Sequence, residues 1–163
     1  MGTNQGDYIL AKGGNDVIIT KSGNDYINAG KGNDTVYAGS GNDKILTGRG
    51  NDTVYAGTGR DQITINSNKG NKTIYGGNGS DTVYFKDPIS NYNFSRIDST
   101  GVVATHKETG SEVILKDIEK FRFSNRTVFG GVTNLMSAAA NNRPTFDQLI
   151  NSNPHIIKGT YFK

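Results

Sequence analysis

The stretch GKGNDTVYAGSGNDKILTGRGNDTVYAG, residues 30–57, contains the triplet Gly-Asn-Asp three times at one fixed interval. An isoleucine or valine follows each aspartate by two residues. One unit, residues 65–75, is two residues longer and has Lys72 at the place of the aspartate. Over the first half of the chain the aspartates recur every nine residues and return once after that irregular unit, at Asp7, Asp16, Asp25, Asp34, Asp43, Asp52, Asp61 and Asp81.

A period of nine fits neither one face of a helix, which recurs at three to four residues, nor a strand, which alternates at two. It fits a short strand joined to a tight turn. Glycine permits the left-handed conformations of such a turn, asparagine tolerates them, and the residues after each aspartate are strand formers. Because a lone strand of this length is not stable in water, the units are expected to stack.

The unit x-G-x-G-N-D-x-U-x, where U is the aliphatic residue, resembles the RTX nonapeptide repeat GGxGxDxUx over residues 2–84. The resemblance implies an all-β fold: a right-handed parallel β-roll of stacked nonapeptide repeats, over residues 1–84, in which two repeats make one coil. It also implies Ca²⁺ bound between turns that lie one above another on the same edge. RTX proteins are typically secreted by bacteria through a type I system, so we expect an extracellular protein.

The electrostatics of the stack favour a divalent cation. Coils spaced about 4.8 Å apart bring the aspartates of alternate repeats together, and two carboxylates about 5 Å apart repel by roughly 3 kcal/mol at an effective dielectric near 20. Calcium takes six to eight oxygen ligands with flexible geometry, whereas magnesium requires a strict octahedron. The metal-free repeats, rich in glycine and charge, are therefore expected to be largely disordered, so that calcium binding drives folding.

The predicted calcium ligands are the eight repeat aspartates and the turn residues Gly30, Gly32, Asn33, Gly39, Gly41, Asn42, Gly48, Gly50, Asn51, Gly57 and Gly59. The pairs 7/25, 25/43, 43/61, 16/34 and 34/52 predict five sites. Two further positions stay open, for a total of up to seven. Asp61 and Asp81 are separated by the insertion, and Lys72 opposite Asp52 would replace a metal by an ammonium.

A second pattern lies on the outward face of the even-numbered repeats. Tyr37, Tyr55 and Tyr75 recur at the spacing of one coil, and the turns before them carry Lys31, Arg49 and Lys69. Aromatic rings beside cations are suited to an anionic polysaccharide such as alginate, an arrangement similar to the R-modules of alginate C5-epimerases. The alternative interpretation is cross-strand pairing of good β formers, with no ligand.

The C-terminal half, residues 85–163, lacks the nine-residue period. It is predicted to form antiparallel strands between residues 92 and 123, at 92–98, 102–107, 112–115 and 121–123, followed by short helices at about 133–139 and 145–151. The segment LKDIEKFRF resembles one that often follows RTX repeats. Because a stacked array exposes an apolar end, this half is expected to cap the last coil.

Several function classes are not supported by the sequence. There is no Cys, so disulfide scaffolds and Cys-ligated zinc are excluded. There is no HExxH, GxSxG or phosphate-loop motif, so no catalysis is expected. The basic residues alternate with aspartates despite a pI near 9.0, which argues against nucleic acid. No apolar run reaches the length of a membrane span, and the N-terminus lacks the features of a signal peptide.

The sequence thus predicts a monomeric, non-catalytic calcium-binding module, covalently part of a larger secreted protein, that binds an anionic polysaccharide. The alternative is a purely structural folding or secretion module of a protease, lipase, toxin or adhesin. An ice-binding β-roll is a third reading, disfavoured because Thr58 is the only threonine at its position in the turns.

Overall fold

The computed structural model describes residues 1–140. Each repeat contributes one short strand, because the residues after its aspartate are β-branched or aromatic. The strands are β1 (Tyr8–Leu10), β2 (Val17–Ile19), β3 (Tyr26–Asn28), β4 (Thr35–Ser40), β5 (Lys44–Leu46), β6 (Asp52–Gly59), β7 (Gln62–Ile65), β8 (Lys72–Gly79) and β9 (Thr82–Phe85).

These strands form two parallel sheets. The odd-numbered strands pair in the order β1-β3-β5-β7-β9, and the even-numbered strands pair in the order β8-β6-β4-β2. The register joins residues one coil apart, as in Tyr8 with Tyr26 and Val36 with Val54. The chain winds through both sheets in about four turns, so the predicted parallel β-roll is confirmed.

The core of the roll consists of the aliphatic residue of each repeat. These side chains have no exposed surface at Ile27, Val36, Ile45, Val54, Ile63, Ile74 and Val83. Full burial of one valine or isoleucine contributes about 1.5–3 kcal/mol. Because the residues that follow two positions later are small, as at Ala38 and Ala56, the core is thin. The edges of the roll must therefore contribute to its stability.

The two extra residues of the irregular repeat are absorbed in the turn between β7 and β8. Gln62 still pairs with Thr82, and Asp52 pairs with Lys72, so the strands on either side remain in register. The insertion lies in residues 66–71, which belong to no strand. It therefore lengthens one corner of the coil without separating Asp61 from Asp81.

The chain after the repeats adds a second group of elements. They are the 3₁₀-helix Ile89–Asn91, the strands β10 (Tyr92–Arg96), β11 (Gly101–His106), β12 (Glu112–Lys116), β13 (Lys120–Phe123) and β14 (Arg126–Phe129), and the helix α1 (Gly131–Ala140). The first predicted helix, 133–139, lies within α1. The second, 145–151, lies outside the described residues. Within the described residues no helix is long and apolar enough to cross a membrane.

Two of these strands continue the roll rather than forming the purely antiparallel set that the sequence predicted. β12 pairs in parallel with β8, and β13 pairs in parallel with β9, which places Leu115 beside Ile74 and Phe121 beside Val83. The physical reason is that the last coil presents two rows of unpaired backbone groups, which a further coil satisfies. The antiparallel strands β11 and β14 then follow on the outside.

Aromatic and aliphatic side chains close this end of the core. The ring of Phe85 stacks on Phe123 with centroids 4.6 Å apart and meets Tyr92 edge to face at 5.0 Å. Val132 and Leu135 of α1 are buried against the same cluster. The apolar end of the stack is therefore covered at the C-terminal side.

Candidate metal centres

The turns that carry the aspartates form two edges of the roll. We call the turns before the odd-numbered strands the first edge and those before the even-numbered strands the second edge. The first edge carries Asp7, Asp25, Asp43, Asp61 and Asp81, and the second edge carries Asp16, Asp34, Asp52 and Lys72.

Glycine is required in these turns because the backbones of neighbouring coils lie very close. Gly41 has φ 137°, and a Cβ added to it would lie 1.8 Å from the carbonyl oxygen of Gly23 in the preceding coil. The other predicted turn glycines, from Gly30 to Gly59, also have positive φ. The glycines thus hold a column of carbonyl oxygens beside the aspartates.

The turn asparagines make contacts from one coil to the next. The Oδ1 atom of Asn33 accepts the backbone N–H of Asn51 at 2.8 Å, and that of Asn42 accepts the N–H of Arg60 at 2.8 Å. Asn51 accepts the N–H of Asn71 in the same way. These side chains are exposed. Their side-chain oxygens therefore support the stack, so any role of Asn33, Asn42 and Asn51 as metal ligands would belong to their backbone carbonyls, and that role stays a prediction.

The aspartates form a second, buried ladder. On each edge, the Oδ1 atom of every aspartate after the first accepts the backbone N–H of the aspartate one coil earlier. The distances are 2.8 Å from Asp25 N to Asp43, 2.8 Å from Asp43 N to Asp61, and 3.0 Å from Asp34 N to Asp52. One oxygen of each carboxylate is thereby fixed toward the preceding coil, and the register of the carboxylates follows from the register of the strands.

The other oxygen, Oδ2, has no such partner. It is buried and has neither a hydrogen bond nor an ion pair among the described residues in six aspartates, Asp16, Asp25, Asp34, Asp43, Asp61 and Asp81. The exceptions are Asp7, whose Oδ2 accepts the N–H of Thr3 at 2.7 Å, and Asp52, whose Oδ2 meets the ammonium of Lys72. A buried carboxylate oxygen without a donor or cation costs several kcal/mol. The same unsatisfied atom in consecutive repeats indicates a built cation site.

The burial of several of these carboxyl groups also raises their pKa values, because it disfavours the ionised form. Burial, together with the charge of Asp25, raises the pKa of Asp43 to about 6, against a partly offsetting hydrogen bond from the backbone N–H of Asp25. Asp61 behaves alike, with its pKa raised to about 6 by burial and by Asp81 and Asp43. The pKa values of Asp34 and Asp81 are also raised, chiefly by burial. The ionised row thus requires positive charge beside it.

One position of the second edge contains its own cation. The ammonium of Lys72 lies 3.1 Å from Oδ2 of Asp52, an ion pair in which both side chains are buried. It also donates to the carbonyl oxygens of Gly50 and Lys69. Carboxylate and carbonyl oxygens from two neighbouring coils therefore converge on one positive charge. The contacts of the ammonium show which oxygen atoms are available to coordinate a cation at the equivalent positions of the other repeats.

The first edge continues without interruption past the insertion. The N–H of Asp61 donates to Oδ1 of Asp81 at 2.9 Å, which is the contact that the regular repeats make. The N–H of Asp81 donates in turn to Oε2 of Glu119 at 2.8 Å. Sequence analysis missed Glu119. Its signal was the spacing Glu119-Lys120-Phe121, an acid two residues before a buried apolar residue, as in the repeats that carry an aspartate.

The predicted tyrosines lie in one stacked row. The rings of Tyr37, Tyr55 and Tyr75 lie 4.9 Å apart between centroids, with planes within 3° of parallel. Both faces of Tyr55 are therefore covered by its neighbours, and this ring has no face free for a sugar. This stacked row agrees with the alternative interpretation of the sequence, in which the tyrosines pair with one another across neighbouring strands.

The predicted basic residues lie elsewhere on the surface. Lys31, Arg49 and Lys69 line a groove of about 530 Å³ together with Lys12 and Lys86. The tyrosines do not line this groove. The structure brings the cations together at the second edge but does not combine them with the rings in one site.

The donor set fits a hard cation. Among residues 1–140, no three side chains of His, Cys, Asp or Glu converge on one point. A metal would therefore be held by pairs of aspartates completed by turn carbonyls. An all-oxygen shell of this kind suits Ca²⁺.

Comparison with known families agrees with this geometry. The model of the RTX calcium-binding nonapeptide repeat (4 copies) matches residues 1–36, 30–63 and 64–86, which together exceed half of the chain and include every aspartate of both edges. Comparison with curated proteins finds no match. The repeat of this family is a structural, calcium-binding unit. This chain therefore belongs to the RTX calcium-binding nonapeptide repeat family.

Proposed function

We propose that this chain is a structural module that folds on binding Ca²⁺ outside the cell. The observation that carries the proposal is the set of six buried Oδ2 atoms, on both edges, that have neither a hydrogen bond nor an ion pair among the described residues. Without a cation, each represents an uncompensated carboxylate in a thin core. With Ca²⁺ bound, the free energy of binding becomes free energy of folding.

The ligand set follows from the contacts of Lys72. Its ammonium binds Oδ2 of Asp52 and the carbonyls of Gly50 and Lys69. By register, the equivalent donors one coil earlier are Oδ2 of Asp34 and the carbonyls of Gly32 and Arg49. The same reasoning gives six sites between repeats, at the pairs 7/25, 16/34, 25/43, 34/52, 43/61 and 61/81. The 7/25 site is expected to be the weakest, because Oδ2 of Asp7 is already bound by Thr3.

Calcium titration of the metal-free chain tests this proposal. Far-UV circular dichroism should show β structure appearing with added Ca²⁺, but not with the same concentration of Mg²⁺. Asp43→Asn should weaken calcium binding, since it removes a buried charge from two neighbouring sites. The matched control is Asp98→Asn, an aspartate in an exposed loop. Identical spectra of the repeats in chelator and in calcium would contradict the proposal.

Secretion is the cellular part of the proposal. RTX repeats are typical of secreted bacterial proteins. Extracellular calcium modules bind with Kd values of about 10⁻⁴ to 10⁻³ M, so such a chain stays unfolded at low calcium and folds where calcium is abundant. Isothermal titration calorimetry should give Kd values in this range. Values below about 10⁻⁶ M would mean that the module is also loaded where calcium is scarce, which would oppose the proposal.

A second candidate function is binding of an anionic polysaccharide in the basic groove of the second edge. The observation that favours it is the convergence of Lys12, Lys31, Arg49, Lys69 and Lys86 on one groove. The ammonium and guanidinium groups would pair with uronate carboxylates. Because the rings of the tyrosine row cover one another, recognition would depend on charge rather than on stacking.

Titration with alginate in the presence of calcium tests this second function. Binding should weaken with added salt and should be lost in Lys31→Glu combined with Arg49→Glu. The control for the same change of net charge is Lys21→Glu combined with Lys44→Glu, at two exposed lysines that do not line the groove. Equal binding by the double variant and the control would exclude the groove as the site.

A further inference from the structure

The last turn of the first edge is completed by a residue outside the repeats. β13 continues the odd sheet with Lys120 beside Thr82, which places Glu119 next to Asp81 as a further carboxylate of the file. Oε2 of Glu119 accepts the N–H of Asp81 at 2.8 Å, as Oδ1 of Asp81 accepts the N–H of Asp61 at 2.9 Å. Glu119 therefore repeats the contact that each repeat aspartate makes with the preceding coil.

The Oδ2 atom of Asp81 is directed into this turn. Asp81 is fully buried, and its Oδ2 has no hydrogen bond among the described residues. A Cβ placed on Gly76 would lie 2.7 Å from this oxygen and 2.1 Å from the carbonyl oxygen of Asp117. The two oxygens are thus less than about 5 Å apart, close enough for one Ca²⁺ with bonds of about 2.3–2.6 Å to bind both. The earlier coils have Ala38 and Ala56 where this one has Gly76, so the close approach of the Asp117 carbonyl is specific to this turn.

The nearby ammonium groups are engaged elsewhere. Lys116 forms an ion pair with Asp98 at 3.0 Å, and Nζ of Lys120 lies over the ring of Phe129, 4.7 Å from its centroid. Among residues 1–140, neither Asp81 nor Glu119 forms an ion pair. This turn differs in that respect from the second edge, where Lys72 neutralises Asp52.

We propose that Asp81, the carbonyl of Asp117 and Glu119 bind one further Ca²⁺ at the junction between the repeats and the C-terminal elements. The inference rests on the proposed calcium function of the repeats and adds a site that their pattern does not contain. Such a site would fasten the C-terminal elements to the last coil.

Native mass spectrometry of the calcium-loaded chain tests the additional site. Glu119→Gln should bind one calcium fewer than the wild type, while Glu119→Asp, which restores the carboxylate of the repeats, should retain it. The matched control is Glu112→Gln, an exposed glutamate of β12, which should bind the full number. Equal stoichiometry in Glu119→Gln and the wild type overturns the inference. A wild type that binds no calcium overturns the proposed function instead.

A second measurement needs no variant. A crystal of the wild-type chain grown with calcium should give an anomalous difference peak between Asp81, Asp117 and Glu119, in addition to peaks between the repeat aspartates. Peaks at the repeats without one at this turn would overturn the inference, even where Glu119→Gln fails to fold.

Discussion

The two edges of the roll are built from the same turn but differ in how their charge is balanced. The first edge is a continuous file of carboxylates, from Asp7 to Asp81, followed by Glu119. The second edge carries carboxylates only as far as Asp52, then the ammonium of Lys72, and beyond it the apolar Val113. The second edge also carries the basic groove, which none of the aspartates lines.

The difference shows that a positive charge between neighbouring coils can be supplied by a lysine of the chain itself, as at Lys72. At the irregular repeat, Lys72 stands at the position that an aspartate has in the other repeats. Its ammonium donates to the neighbouring backbone carbonyls. Where the chain supplies no ammonium, the carboxylate oxygen stays unsatisfied within the protein. If the proposed calcium sites are correct, a lysine can replace one bound ion at a single position between coils.

Among the changes that test this difference between the two edges, replacement of Lys72 should have the largest effect on the stability of the roll. Lys72→Met leaves the carboxylate of Asp52 buried without a cation and should lower the free energy of unfolding by about 3–5 kcal/mol. Lys72→Asp should be equally unstable without calcium but should recover in calcium and bind one additional ion. Chemical denaturation and native mass spectrometry measure the two effects.

Lys44→Met, at an exposed lysine of β5, is the control for the removal of a lysine. An unchanged number of bound ions in Lys72→Asp would show that the second edge does not accept calcium at this position.

A smaller loss is expected when the close approach of the turns is blocked. Gly41→Ala introduces a Cβ 1.8 Å from the carbonyl of Gly23 at a φ of 137°, so the free energy of unfolding should fall by more than about 1 kcal/mol. Gly110→Ala is the control, because its φ of 70° is also left-handed but nothing lies within 4 Å of the added Cβ. The excess loss in Gly41→Ala measures the contact between coils, and equal losses in the two variants would argue against such a contact.

The tyrosine row of the even sheet should contribute less. Tyr55→Leu removes a ring stacked on two neighbours and should cost about 0.5–1.5 kcal/mol for each aromatic pair beyond its buried area. Tyr8→Leu, which removes a ring with the single stacking partner Tyr26, should cost less. Thermal denaturation in saturating calcium compares the two variants, and a greater loss in Tyr8→Leu would contradict the stacking account.

The smallest expected effect is a dependence on pH in the metal-free chain. Because the pKa values of Asp43 and Asp61 are raised to about 6, the folded state holds protons that the unfolded state releases nearer 3.8. The stability of the metal-free roll should therefore fall as the pH rises from about 4 to 6, so residual β structure should be greater at the acidic end. In excess calcium the order should reverse, since protons compete for the same oxygens. Circular dichroism without calcium that does not change over this range would contradict the assignment.

Much of the roll could be predicted from the sequence because the nine-residue period determines which residues of neighbouring strands lie opposite each other. The spacing from Asp25 to Asp43 fixes which strands pair, and the aliphatic residue two positions later fixes the buried face. The contacts of Lys72 also follow from its place in the period. These features depend on local turn chemistry, which a nine-residue pattern expresses directly.

The C-terminal elements could not be predicted to the same depth. Nothing in the composition of β12 or β13 states that they pair in parallel with β8 and β9, because that choice depends on the unpaired edge of a distant coil. The covered faces of Tyr55 were missed for a related reason: the spacing of one coil places rings in a row but does not say which way they face. Glu119 could be recognised as the last carboxylate of the first edge only after the position of β13 was known.

The corner at residues 66–71 has a consequence for engineering and for evolution of the roll. Two surplus residues are accommodated there while Asp52 still faces Lys72 and Gln62 still faces Thr82. Registry is therefore maintained by the strands and the aspartate ladder, while this corner accommodates two extra residues and is held to the C-terminal elements by the contacts of Asn68 with Asp87 and Ser111. We expect a foreign peptide grafted at Ser67 to be displayed beside the basic groove, which Ser67 lines, without a change in the register of the strands.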